Sequence, residues 1–215
     1  MKGVKSILRA WNCADHVANA GLFHSIYGTE GFQGYKLPFT ERIRIREMIG
    51  PQAESLVYKF CTADRFTVDE IVNKQHDLLF NSNNKDKDNE ECLSYIIKAR
   101  IELGRFDIKF KDEDEWFDFI ELTLADWLEQ VEGAADKANP LFEWNIGEAW
   151  SYRRTAYKKM AEILQVKRNL KEAKEMYADV YKQEPENTRH LIQILTPPMS
   201  DAAKEARLAY AARDQ

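Results

Sequence analysis

The segment from Asp112 to Val131 constrains the fold more than any other. Trp116, Phe119, Ile120, Thr123, Leu124, Trp127, Leu128 and Val131 recur at helical spacing. They cover more than half of the helix circumference, and a helix apolar over that much of its surface has to be surrounded by other elements. Asp112 to Glu115 place acids where a helix N-terminus favours them. The expected architecture is therefore all-α, built round this helix. Asp126 lies inside the apolar run. A carboxylate there needs a metal ion or a hydrogen-bonded partner. The structural alternative is satisfaction by backbone amides or an arginine.

The rest of the chain is also mostly of helical period. Val4, Ile7, Leu8 and Trp11 share one face, as do Val17, Ala20, Gly21 and His24. Gly28, Gly31 and Gly34 interrupt the pattern and Pro38 closes that loop. Residues 40–49 are predicted helical, with Thr40 as N-cap and Gly50 as the stop; Pro51 fits the first position of the next helix, with Leu56, Val57 and Phe60 facing in. A helix is expected over 67–80, a polar surface loop over 81–89 and a helix over 90–103. Phe106, Ile108 and Phe110 alternate with polar residues, as in a short strand or extended connection. Gly133 and then Asn139-Pro140 end this first unit, read as residues 1–133.

The final stretch, read as a unit over 147–215, is rich in Ala, Lys, Glu and Tyr. Tyr157, Met160, Ala161, Leu164, Ala173, Tyr177, Val180 and Pro185 resemble one tetratricopeptide repeat, whose period is about 34 residues. One repeat makes no solenoid. The expectation is an antiparallel helix pair over 147–184, docked on the first unit or serving as a protein-binding module, and a further helix over 201–213.

Charge and cysteine usage exclude several functions. The chain has 215 residues, 31 basic and 36 acidic, for a formal net charge of −5. A general nucleic-acid binder needs a basic face, so nucleic acid is not an expected partner. Trp116, Trp127, Trp144 and Trp150 are accordingly read as core and packing residues, not as a base-stacking platform. No apolar run approaches the ~20 residues of a membrane span, and no membrane partner is expected. Cys13, Cys61 and Cys92 are widely spaced, an odd set that reads as reduced thiols in a cytoplasmic protein.

Of the histidines at 16, 24, 76 and 190, His24 stands out at the end of an apolar helix that opens on the glycine loop. The segments HVANAGLFHSIYGTE and IGPQAESLVYKF, with Leu124-Ala125-Asp126 later, resemble the HD-domain module of RelA/SpoT-type alarmone hydrolases. The stretch GLFHSIYGT resembles more closely an uncharacterised family, the domain of unknown function numbered 6817. The resemblance implies an HD-like helical domain over the first unit. It makes His24 and Asp126 ligands of a weakly held divalent ion (Mn, Fe or Mg); on that reading Ser25, Tyr27 and Glu30 shape the pocket for a small phosphorylated molecule, and the basic cluster offers Arg42 and Arg46 to its phosphate. An ion so held would acidify a bound water and polarise a phosphoryl group.

The pattern also departs from that module. Ser25 stands in place of the doublet's aspartate, Gly28-Thr29 in place of an acidic pair, and the family's first histidine would fall at or before Met1. The site is therefore expected to be altered or vestigial. Two functions follow: a metal-dependent phosphohydrolase of a small phosphorylated metabolite, or a non-catalytic HD-like module binding a small molecule or a protein partner. Asp64-Arg65, at a helix end, reads as a local ion pair or as a support for a neighbour of the arginine cluster, and Arg42, Arg44 and Arg46, with Lys36, either meet a phosphate near the His24 loop or form a solvated face.

Overall fold

The computed structural model describes residues 3–32, 36–80, 94–138 and 146–189. Helices dominate: α1 (Val4–Ala10), α2 (Asp15–Phe23), α3 (Arg42–Ile49), α4 (Pro51–Thr62), α5 (Arg65–Phe80), α6 (Glu113–Ala135), α7 (Arg154–Lys167) and α8 (Lys171–Tyr181), with two short strands, β1 (Ile96–Lys98) and β2 (Asp107–Lys109). The fold is all-α apart from this small hairpin.

Helix α6 is the hub. Trp116, Phe119, Ile120, Leu122, Leu124 and Val131 are buried on it, and it touches α1, α2, α4, α7 and α8. Its start is fixed locally: the Asp112 side chain accepts the Glu115 backbone N–H at 2.9 Å. Helix α3 ends at Gly50, whose φ of +88° suits glycine, and Pro51 then opens α4.

The structure corrects the helix expected over 90–103 where it describes that segment. Ile96–Lys98 pairs antiparallel with Asp107–Lys109, with Ile97 opposite Ile108. Those two side chains are buried, and the burial of this cross-strand pair outweighs the helical preference of the surrounding residues. The sheet continues into the α4–α5 turn. Ala63 bridges to Ala99, the Asp64 N–H donates to the Lys98 carbonyl, and the Arg100 N–H to the Thr62 carbonyl.

Helices α7 and α8 run in opposite directions. Lys174 Nζ donates to Gln165 near the turn, while the Tyr177 hydroxyl donates to the Arg154 carbonyl at the open end. Tyr157, Met160, Ala161 and Leu164 are buried, and the pair packs through α7 on α5 and α6. The helix expected over 201–213, Trp144, Cys92 and His190 lie outside the described residues. Among the described residues, no helix is long and apolar enough to cross a membrane.

Candidate functional site

Helix α2 is short and packs closely on α1: a methyl group on Gly21 would lie 2.9 Å from a Leu8 methyl and 3.0 Å from the Lys5 backbone nitrogen. That close approach sets the direction in which α2 ends. His24 is its C-cap, and its Nδ1 lies 3.0 Å from the Gly21 carbonyl. The carbonyl only accepts, so Nδ1 carries a proton. Nε2 is thereby aimed across to α6, 2.9 Å from Oδ1 of Asp126. The other Asp126 oxygen accepts from Gln130 at 3.0 Å, one turn further on.

The two residues singled out in the sequence thus meet, and they form a hydrogen-bonded imidazole–carboxylate pair. Burial opposes the charge on His24. The hydrogen bond and the charge of Asp126, with the Gly21 carbonyl, outweigh it and raise the His24 pKa above 6.5. A helix C-terminus favours a cation for the same electrostatic reason.

The pair lines a cleft of ≈ 380 Å³. The loop after α2 supplies Ser25, Thr29, Glu30 and Phe32; α6 supplies Trp127 and Gln130; Arg65 opens α5; Tyr152, Arg153 and Tyr157 come from the α7 end. Glu30 is buried, and its Oε2 accepts the backbone N–H of Arg65 at 2.8 Å, capping α5. Arg153 is held in a left-handed conformation at φ +50° and donates through Nε to both oxygens of Asp69 at 3.0 Å.

Ser25 and Glu30 line the cleft. Tyr27, Arg42 and Arg46 are not among its lining residues, which corrects their place in the pocket. All three converge on Glu54, whose side chain is 0 % exposed in the first turn of α4. Arg42 donates to it through Nε at 2.6 Å and Nη2 at 3.0 Å, Arg46 at 3.2 Å and the Tyr27 hydroxyl at 3.2 Å. A buried carboxylate demands partners, and these side chains are the partners. Burial pushes the Glu54 pKa up, but the Arg42 hydrogen bond and charge, with Arg46 and Tyr27, bring it below the ordinary value.

Arg65, Arg153, Tyr152 and Tyr157 were not assigned to the pocket from the sequence. One signal was available for Arg153: Asp69 sits between Val68 and Ile71 on the buried side of α5 and requires a cation. The sequence-level pairing of Asp64 with Arg65 is also corrected. Asp64 instead binds Arg105 and accepts the Phe66 N–H at 3.0 Å.

A zinc-like site takes three or four protein ligands, whereas Mg²⁺ can be held by one or two carboxylates with water and phosphate oxygens. His24 and Asp126 provide two. Among the described residues, no group of three or more His, Cys, Asp and Glu side chains is placed to hold an ion. The described donors at the cleft therefore do not make up a three-ligand site.

The fold and the site define a mostly helical protein with a cleft lined by a hydrogen-bonded histidine–aspartate pair. Residues 1–65 match the model of an uncharacterised family, the domain of unknown function 6817. No curated protein matches the chain, and no solved structure does. The matched stretch contains His24, Glu30 and Arg65, whereas Asp126, Arg153 and Tyr157 come from beyond it.

Proposed function

We propose that the chain is a binding protein for a small phosphorylated molecule, which it holds in this cleft without hydrolysing it. The observation that carries the reading is the 2.9 Å contact of His24 Nε2 with Asp126 Oδ1 on the cleft wall. In the HD-type pattern that the sequence resembles, this is where an imidazole and a carboxylate would share an ion. Here a proton between the two groups accounts for the contact, and the donor set stops at two. The resemblance suggests a phosphorylated ligand, and the Arg65 and Arg153 side chains line the same cleft. The size suits a small molecule, since such sites run from roughly 300 to 1,000 Å³.

The reading of the C-terminal hairpin as a tetratricopeptide-like, peptide-binding module is less favoured. Its large apolar side chains on α7 are spent on packing against α5 and α6.

Titration calorimetry with phenyl phosphate, beside a p-nitrophenyl phosphate assay with and without Mn²⁺, tests the proposal. The expected result is saturable phenyl phosphate binding, weakened by His24→Gln, with no release of nitrophenol. Mn²⁺-dependent hydrolysis that both His24→Ala and Asp126→Asn abolish would establish the metal-dependent phosphohydrolase instead. Absence of phenyl phosphate binding would overturn the binding reading.

A further inference from the structure

We infer that Arg65 is the anion anchor of this cleft, its guanidinium receiving an oxyanion of the ligand in its plane. The inference rests on the reading of the cleft as a small-molecule site and adds the residue and the group it recognises.

Arg65 is 6 % exposed, lines the cleft, and its Nη1 is shielded from solvent with no hydrogen-bond partner. A buried guanidinium N–H without an acceptor is unfavourable unless something else brings one. The other basic side chains of the cleft are committed: Arg153 to Asp69, His24 to Asp126. Glu30, a carboxylate of the same cleft, directs Oε2 to the backbone N–H of Arg65. Among the described residues lining the cleft, Arg65 is the one with a shielded side-chain nitrogen left unsatisfied.

The guanidinium is also preorganised. Its carbon lies 4.1 Å from the centroid of the Phe60 ring, so the fork rests on an aromatic face. Its base is fixed as the first residue of α5. A stacked guanidinium presents its donors at its edge, the geometry that matches the paired oxygens of a phosphate or a carboxylate. A lysine, with a compact point charge, would not reproduce it.

The test uses the full chain with ¹⁵N-labelled arginine. Phenyl phosphate and benzoate are titrated as phosphate and carboxylate probes, with phenol as the uncharged control. The expected result is a saturable shift of the Arg65 side-chain N–H signals with phenyl phosphate or benzoate and none with phenol. The anion that binds tighter identifies the oxyanion class. Arg65→Gln should bind that anion at least about tenfold more weakly, with unchanged far-UV circular dichroism, and Arg65→Lys should restore only part of the loss.

A folded Arg65→Gln variant that binds within about twofold of wild type would overturn the anchor and leave the binding reading intact. Should the variant not fold, the wild-type spectra decide: anion binding that leaves the Arg65 signals unmoved also removes the anchor. Failure of the wild type to bind either anion would remove both proposals.

Discussion

Arg153 and Asp69 form a buried bidentate pair, their side chains 1 % and 0 % exposed, that ties the start of α7 to α5 across 84 positions of the chain. The Arg153 Nη1 also donates to the Tyr157 hydroxyl at 2.7 Å. Breaking such a pair leaves an uncompensated buried charge. Arg153→Met and Asp69→Asn are each expected to cost about 3–5 kcal/mol in urea unfolding. The double variant Asp69→Leu/Arg153→Met should recover much of that loss. A double variant no more stable than either single one would show that the pair does more than satisfy itself.

Asp126→Asn should lower the His24 pKa, because burial stays and the countercharge goes. In the wild type the folded-state pKa is raised above 6.5. The stability that this pair adds is therefore fully present below about pH 6.5 and is lost as pH rises through the raised value. The gap between wild type and variant should be about 1.5–3 kcal/mol in the acidic range, as for a hydrogen bond to a charged group, and should narrow in alkali. Nitrogen-detected titration of the imidazole and urea melts across pH check both. A gap that widens with pH would contradict this assignment.

Glu54 behaves in the opposite sense. Its folded pKa lies below 4.5, so its contribution is present above pH 4.5 and disappears as pH falls through the lowered value. Glu54→Gln should be destabilising by about 1–3 kcal/mol at neutral pH and close to neutral in strong acid. Arg42→Ala should cost more than Arg46→Ala, since Arg42 makes two hydrogen bonds and covers the Tyr58 ring at 3.7 Å.

Glu121, on α6, is a further acid whose titration is set by the fold. Burial pushes its pKa up to about 7, against the Cys13 hydrogen bond and the nearby Arg168 guanidinium. The fold prefers the protonated form, so stability from this residue falls as pH rises from 4.5 towards 7 and is level above that. Glu121→Gln should be no more stable than wild type below pH 4.5 and more stable at pH 8, by an amount on the order of 2 kcal/mol. Thermal melts at the two pH values measure the difference.

What the sequence made legible was local. The apolar surface of α6, the Gly50-Pro51 boundary and the helical period of α7 and α8 are all set by residues close in the chain, and each appears in the structure. The meeting of His24 with Asp126 was legible through a family pattern, not through spacing. Strand β1 is too short to carry a period of its own: it is fixed by pairing with Asp107–Lys109, and the adjoining Ala99 bridges to Ala63, 36 positions earlier. Arg42 and Arg46 lie away from the cleft because Glu54, which reads as an ordinary polar position in α4, is buried and draws them to itself. The cleft's arginines carry no periodic signal at all, since their reasons lie in Asp69, Glu30 and Phe60.

The cleft draws its walls from four stretches of chain, around His24, Arg65, Asp126 and Tyr157. None of them can face another until long loops have closed, and such closures come late in folding. The segment shared with the uncharacterised family carries only half of the walls. The cleft is thus a product of the finished chain. A ligand that enters it binds only the fully assembled state and shifts the folding equilibrium towards that state by mass action. Occupancy would then report on completed folding, and loss of α7 docking alone would empty the site while most of the helices remained formed.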